Sequence, residues 1–191
     1  ERALFAMFGL DPARRGRPIA GFAHGSAGIA LALARLAVTT GDARYHEAAL
    51  RAEAGASAGG LLVGGVGRLA QSKGFDTLIR AFRAAALPDA ALAIVGDGRE
   101  RDSLQALAQG LPVRFLGYRP DAKDFYQAFD LFVSPSRSEP LGRVLFEALD
   151  AGVPVLATRT QGPSEILAQF PGRLVAIDDG EALAAALREF A

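Results

Sequence analysis

From residue 61 onward, short apolar runs alternate with amphipathic segments, and this alternation constrains the fold more than any other feature of the chain. The runs cover 61–66, 91–95, 113–116, 131–133, 153–157 and 174–177. Each is short and nearly unbroken, as strands buried on both faces are. Between them, helical spacing predicts helices over 75–86, 100–109, 121–128 and 163–168, with a last helix from Glu181. After Pro140, the recurrence of Leu141, Val144, Leu145, Ala148 and Leu149 predicts one more. Regular alternation of this kind predicts an α/β fold: a Rossmann-like parallel sheet with helices on both faces and right-handed crossovers. Ligands of such sheets bind beyond the carboxyl ends of the strands, so the loops that follow each run are where chemistry is expected.

Composition narrows the function classes. Half of the 191 residues are apolar, enough for a sizeable core. Lys+Arg and Asp+Glu balance at 21 each, which leaves no electrostatic footprint for nucleic acid or an anionic membrane. The absence of cysteine excludes disulfides and thiolate metal sites and fits a cytoplasmic protein. No apolar stretch is long enough to span a bilayer; 27–38 is short and is interrupted by Arg35. The first residues carry no signal-peptide pattern.

Upstream of residue 61 the character differs. Residues 1–56 read as a helical hairpin: an alanine-rich helix over 27–38, a break at Thr40-Gly41-Asp42, and a second helix capped by Asp42 and running to Glu53. The small residues at 57–60 read as a linker, and 61–191 as the main domain.

Four loops carry the candidate site. The segment 134–147 sets two carboxylates, Glu139 and Glu147, across a strand-to-helix turn. Pro140 and Gly142 close that turn onto a helix start, where free backbone N–H groups can hold an anion. The segment 64–74 follows the first strand with several glycines, and its Arg68 and Lys73 can bring positive charge to a diphosphate. Gly96-Asp97-Gly98 is either a ligand-contacting turn or simply a tight one. Gly117-Tyr118-Arg119-Pro120 presents Tyr118 either to a ligand ring or to the core.

Glu139-Pro140-Leu141-Gly142, Glu147 and the Ala151-Gly152-Val153-Pro154-Val155 tail closely resemble the nucleotide-sugar signature of glycosyltransferase family 4, which has the GT-B fold. Leu141 stands where that family usually has Phe, and Arg143 where an apolar residue is commoner. The Gly67-Arg68-Leu69 and Lys73-Gly74 pairs resemble the same family's diphosphate-contacting segment. The resemblance covers about residues 60–191, one lobe of a two-lobed enzyme. It implies binding of a UDP- or GDP-type nucleotide-diphosphate sugar and transfer to an unknown acceptor, with retention at the anomeric carbon and without a metal or cofactor. It assigns the donor sugar's hydroxyls to Glu139, which would be the catalytic position, and the ribose to Glu147. The diphosphate falls to Arg68, Lys73 and the Leu141 and Gly142 N–H groups, and the base to the loop bearing Tyr118. Gly98 falls in the family's second glycine turn.

Gly21-Phe22-Ala23-His24-Gly25 and the residues around it, over about 16–56, resemble a helical fragment of lanthionine synthetase C-like proteins. With no cysteine and only His46 besides His24, the zinc site of those proteins cannot be assembled. Two readings therefore stand side by side. One is a donor-binding lobe, incomplete as an enzyme because the acceptor lobe is missing. The other is a non-catalytic folded module or chimera, whose helical hairpin covers the face left by the missing lobe. A dinucleotide-dependent oxidoreductase fits the fold class, but no Gly-x-Gly-x-x-Gly opens the first helix.

Overall fold

A computed structural model describes residues 33–34, 37–39, 41–57 and 59–191, so His24 and most of the first predicted helix lie outside the described residues. Helix α1 (Ala43–Glu53) leads into β1 (Leu61–Val66); a 3₁₀ turn (Gln71–Lys73) and α2 (Phe75–Ala85) follow. Then come β2 (Ala90–Val95), α3 (Arg101–Leu107), β3 (Val113–Gly117) and α4 (Ala122–Tyr126). The chain continues through β4 (Leu131–Ser134), α5 (Arg143–Asp150), β5 (Val155–Thr158), α6 (Gln161–Ile166), β6 (Arg173–Val175) and α7 (Gly180–Phe190).

The six strands form one sheet in the order β3-β2-β1-β4-β5-β6, and every neighbouring pair is parallel. This is the Rossmann-like order, with its reversal between β1 and β4. Successive side chains along each strand point to opposite faces, so each strand feeds two cores. Val63, Leu92, Ile94, Leu131, Val133 and Leu156 pack under α2, α3 and α7. Leu62, Ala93, Val95, Phe132, Val155 and Ala157 pack on the other face, against α4, α5 and α6. Strands β2, β4 and β5 are buried along their whole length, which is why the sequence shows them as unbroken runs.

Several predicted boundaries move, and three of the shifts have a stereochemical reason. Val153 does not open a strand; its N–H donates to the Ala148 carbonyl at 3.0 Å and closes α5. Pro154 has no N–H for the ladder, so β5 starts at Val155. Helix α6 starts two residues before Pro163, which sits in its first turn, where a missing N–H leaves no intrahelical bond unmade. Strand β6 stops at Val175 because Asp178 adopts a left-handed φ of 57° and turns the chain into α7.

Asp42 caps α1 as its position predicted, its side chain accepting the Arg44 N–H at 3.0 Å. Helix α1 lies on the second face of the sheet, with Leu50 and Ala54 buried in that core. Arg51 fastens it to the amino ends of β1 and β4. The guanidinium donates to the Gly60 carbonyl at 2.7 Å, to the Ala128 carbonyl at 2.8 Å and to Asp130, whose other contact is the Leu62 N–H at 2.7 Å. The carboxyl edge of the sheet, opposite these contacts, carries the candidate site.

Candidate functional site

The loops after β1 and β4 meet where the strand order reverses, and both backbone and side chains hold them together. The Arg137 and Ser138 N–H groups donate to the Ser72 carbonyl at 2.8 and 3.3 Å. The Arg137 guanidinium then spreads over three segments. It donates to the Gln71 carbonyl at 2.7 Å, to both oxygens of Asp76 at 2.8 and 2.9 Å, to Thr77 Oγ1 at 3.1 Å and to Asp178 at 3.0 Å. A planar fork with five donors suits this task, and a lysine could not match it. Burial pushes the Asp76 carboxyl up, but hydrogen bonds and charge from Arg137 and Arg80 outweigh it and hold it at about 2.

This frame presents Glu139. One carboxylate oxygen accepts the Gly142 N–H at 3.0 Å, and the other forms an ion pair with Lys73 Nζ. Burial pushes this carboxyl up; the Lys73 ammonium and the Gly142 and Leu141 N–H groups outweigh it, so it titrates below the usual carboxylate range. The Gly142 N–H, which the sequence offered to a phosphate, is thus occupied here by the chain's own carboxylate. The Glu139 carbonyl in turn accepts the Gly162 N–H at the start of α6, at 2.9 Å.

Glu147 lies on the second turn of α5 and is partly buried. Tyr126, at the end of α4, donates its hydroxyl to Glu147 Oε2 at 3.0 Å. The Tyr126 ring is buried edge-on against Phe129 and Phe132, with centroids 6.0 and 5.2 Å apart. Burial, with the Glu147 charge and hydrogen bond added to it, raises this phenol well above its ordinary range, so it stays a donor. It therefore steers one carboxylate oxygen, and among the described residues no hydrogen bond holds the other.

The other predicted residues are placed as follows. Arg68 is exposed in the loop after β1, and no carboxylate among the described residues lies within ion-pair reach of it. Tyr118 is 79% exposed, so it does not cap the core; its ring is open to a stacking partner. Leu141 is also exposed. Gly98 meets the tight-turn reading: its N–H donates to Asp97 Oδ1 at 2.7 Å, and a Cβ there would stand 2.3 Å from the Leu69 carbonyl oxygen. Its lack of a side chain serves the packing of two loops. All eight candidates lie on loops or a helix at the carboxyl edge, and Lys73 and Glu139 are brought into contact.

The sequence reading missed Arg137, Asp76, Tyr126 and Thr160. Thr160 Oγ1 is the one buried side-chain polar atom left without a partner among the described residues. As the residue capping α6 it would bond the N–H two or three residues on. Gly162 has given its N–H to Glu139, and Pro163 has none. Among the described residues no group of three His, Cys, Asp or Glu is placed to hold a metal ion, and no helix is long and apolar enough to cross a membrane.

A parallel Rossmann-like sheet that reverses its strand order in this way is a frame on which ligands are bound beyond the carboxyl ends of the strands. The chain belongs to the glycosyl transferases group 1 family, whose model matches residues 60–191. It is 42% identical over 129 residues to the lipopolysaccharide core biosynthesis glycosyltransferase LpsE of Rhizobium meliloti, covering 65% of this chain and 37% of that protein. To LpsD of the same organism it is 40% identical, over 72% of this chain and 41% of the relative. The chain thus spans about two fifths of the length of these relatives. Among solved structures, Anabaena Alr3699/HepE in complex with UDP and glucose matches with a TM-score of 0.64 and 28% identity, over 82% of this chain and 41% of that one. WaaG, a glycosyltransferase involved in lipopolysaccharide biosynthesis, matches with a TM-score of 0.64 and 32% identity, over 74% and 40% of the two chains.

Proposed function

We propose that this lobe binds a nucleotide-diphosphate sugar at the carboxyl ends of β1 and β4 and supplies the donor half of a retaining glycosyl transfer of the family 4 type. The observation that carries the reading is the meeting of Lys73, the Gly142 N–H and the Glu139 carboxylate at the switch point, with Glu147 held by Tyr126 on the next helix. Lys73, Arg68 and the N–H groups at the start of α5 take the diphosphate, and the fixed Glu147 carboxylate accepts from the ribose hydroxyls. Tyr118 and the backbone of its loop face the base. Glu139 accepts from the donor sugar's hydroxyls.

Chemically, the departing diphosphate gathers negative charge as the glycosidic bond breaks. A partly buried ammonium and oriented N–H groups stabilise that charge without reorganising. The acceptor is met by a part of the enzyme beyond this lobe, and the reaction is placed on the cytoplasmic side. The UDP-type donor is preferred, since HepE, which shares this fold, has been solved with UDP and with UDP-glucose.

Calorimetric titration with UDP, GDP and their sugars tests the reading. Saturable binding of a nucleoside diphosphate is expected. Lys73→Met should weaken it about tenfold or more, the range of a charge-assisted contact. Tyr126→Phe should weaken UDP about threefold and leave inorganic pyrophosphate unchanged, because only the ribose partner is disturbed. No saturable binding by any of these nucleotides would refute the assignment.

A further inference from the structure

The Glu139 carboxylate sits where the donor reading sets a ligand's phosphate. It already engages the Lys73 ammonium and the Gly142 N–H. Its side chain is only 12% exposed, and among the described residues Glu139 is the one carboxylate paired with Lys73. Without an anion there, a partly buried ammonium and an N–H at the start of α5 would be left unmatched, so the carboxylate stabilises the empty protein. The same contacts make it a competitor for anything that binds them.

Resting on the donor-site reading above, we infer that Glu139 is a displaceable internal anion: the arriving diphosphate takes over Lys73 and the Gly142 N–H, expels the carboxylate and frees it for the donor sugar. The displacement needs no loop movement. The Glu139 backbone is fixed by the Gly162 N–H on its carbonyl at 2.9 Å, and the neighbouring Arg137 is fixed on Ser72, Asp76 and Asp178. Only the flexible side chain has to turn.

Charge decides which ligands can do this. The carboxylate brings one negative charge on two oxygens, and a ligand must exceed it on the same partners. A diphosphate does so with more charge and more acceptor oxygens. A neutral nucleoside cannot. The internal carboxylate therefore makes the site selective for linked phosphates. It also ties sugar engagement to diphosphate binding, because Glu139 becomes available only after it is displaced.

The test compares UDP, inorganic pyrophosphate and uridine on the wild-type chain and on Glu139→Gln, with circular dichroism to verify folding. Glutamine keeps the shape but holds Lys73 without charge. It should bind UDP and pyrophosphate about tenfold more tightly, since charge-assisted hydrogen bonds are about twice as strong as neutral ones, and uridine no more tightly. Carbon-detected NMR of the Glu139 carboxyl in the wild type gives a second readout that needs no variant. Its titration should lie below the ordinary carboxylate range in the free protein and move upward when UDP saturates the site. Equal or weaker binding by Glu139→Gln, or a carboxyl titration that UDP leaves unmoved, overturns the displacement while wild-type UDP binding still upholds the donor site. If the wild type binds neither UDP nor pyrophosphate, the donor reading and the displacement fall together.

Discussion

Replacing Gly74 with alanine is expected to remove about 3 kcal/mol or more of folding stability and to abolish UDP binding with it. Gly74 joins the 3₁₀ turn that carries Lys73 to α2, with φ at 65°. A Cβ there would stand 2.0 Å from the Pro135 carbonyl oxygen, in the loop that leads to Glu139. Left-handed backbone alone costs an alanine about 1–2 kcal/mol. The clash adds to it because the neighbour is main chain, fixed at the end of β4, and cannot rotate away. Relief comes only by parting the two loops, which separates Lys73 from the α5 N-terminus. Gly152→Ala is the matched control: φ there is 73°, yet nothing lies within 4 Å of the added carbon. It should lose only the conformational share, about 1 kcal/mol, and keep UDP affinity. Denaturant unfolding of both variants separates backbone strain from loop contact.

Arg137→Ala is the second large effect, a loss of about 2–3 kcal/mol together with weaker nucleotide binding. Its guanidinium is 25% exposed and ties the Glu139 loop to α2 and to the turn before α7. Removal leaves Asp76 with Arg80 as its remaining cationic partner and leaves the Gln71 carbonyl without the guanidinium donor. Arg137→Lys should not rescue it, because one ammonium cannot reproduce the fork. The pH dependence carries the signature. Asp76 titrates at about 2 in the folded protein and near 4 when unfolded. A depressed folded value stabilises the protein above pH ~4, and that share is lost as pH falls from about 4 to about 2. Without Arg137 the Asp76 value rises, so melting temperature should fall less steeply over that window in the variant than in the wild type.

The parts that were legible in the sequence and the parts that were not differ in kind. Sheet and helices could be read because β2, β4 and β5 are buried throughout, which leaves unbroken apolar runs between amphipathic stretches. Their ends were less legible, since Pro154, Pro163 and Asp178 set boundaries through local stereochemistry that periodicity ignores. Glu139, Glu147 and Lys73 drew notice because the segments that carry them resemble the family's strand-to-helix turns, and spacing alone would not have singled them out. Their supporters could not be picked out. Arg137 meets Asp76 and Asp178 across 61 and 41 residues of sequence, and no spacing rule links them. Tyr126 reads as one more aromatic in a short helix; its polar tip was the available hint, since a buried tyrosine hydroxyl seeks a partner. That Glu139 is held by Lys73, 66 residues away, could be seen only once β1 and β4 lay side by side.

The most direct measurement is a crystal structure of this chain with UDP. The account predicts the diphosphate on Lys73 Nζ and the Gly142 N–H, the ribose on Glu147, the uracil beside Tyr118, and the Glu139 side chain turned away from Lys73. UDP bound elsewhere, with the Lys73–Glu139 pair intact, would contradict it.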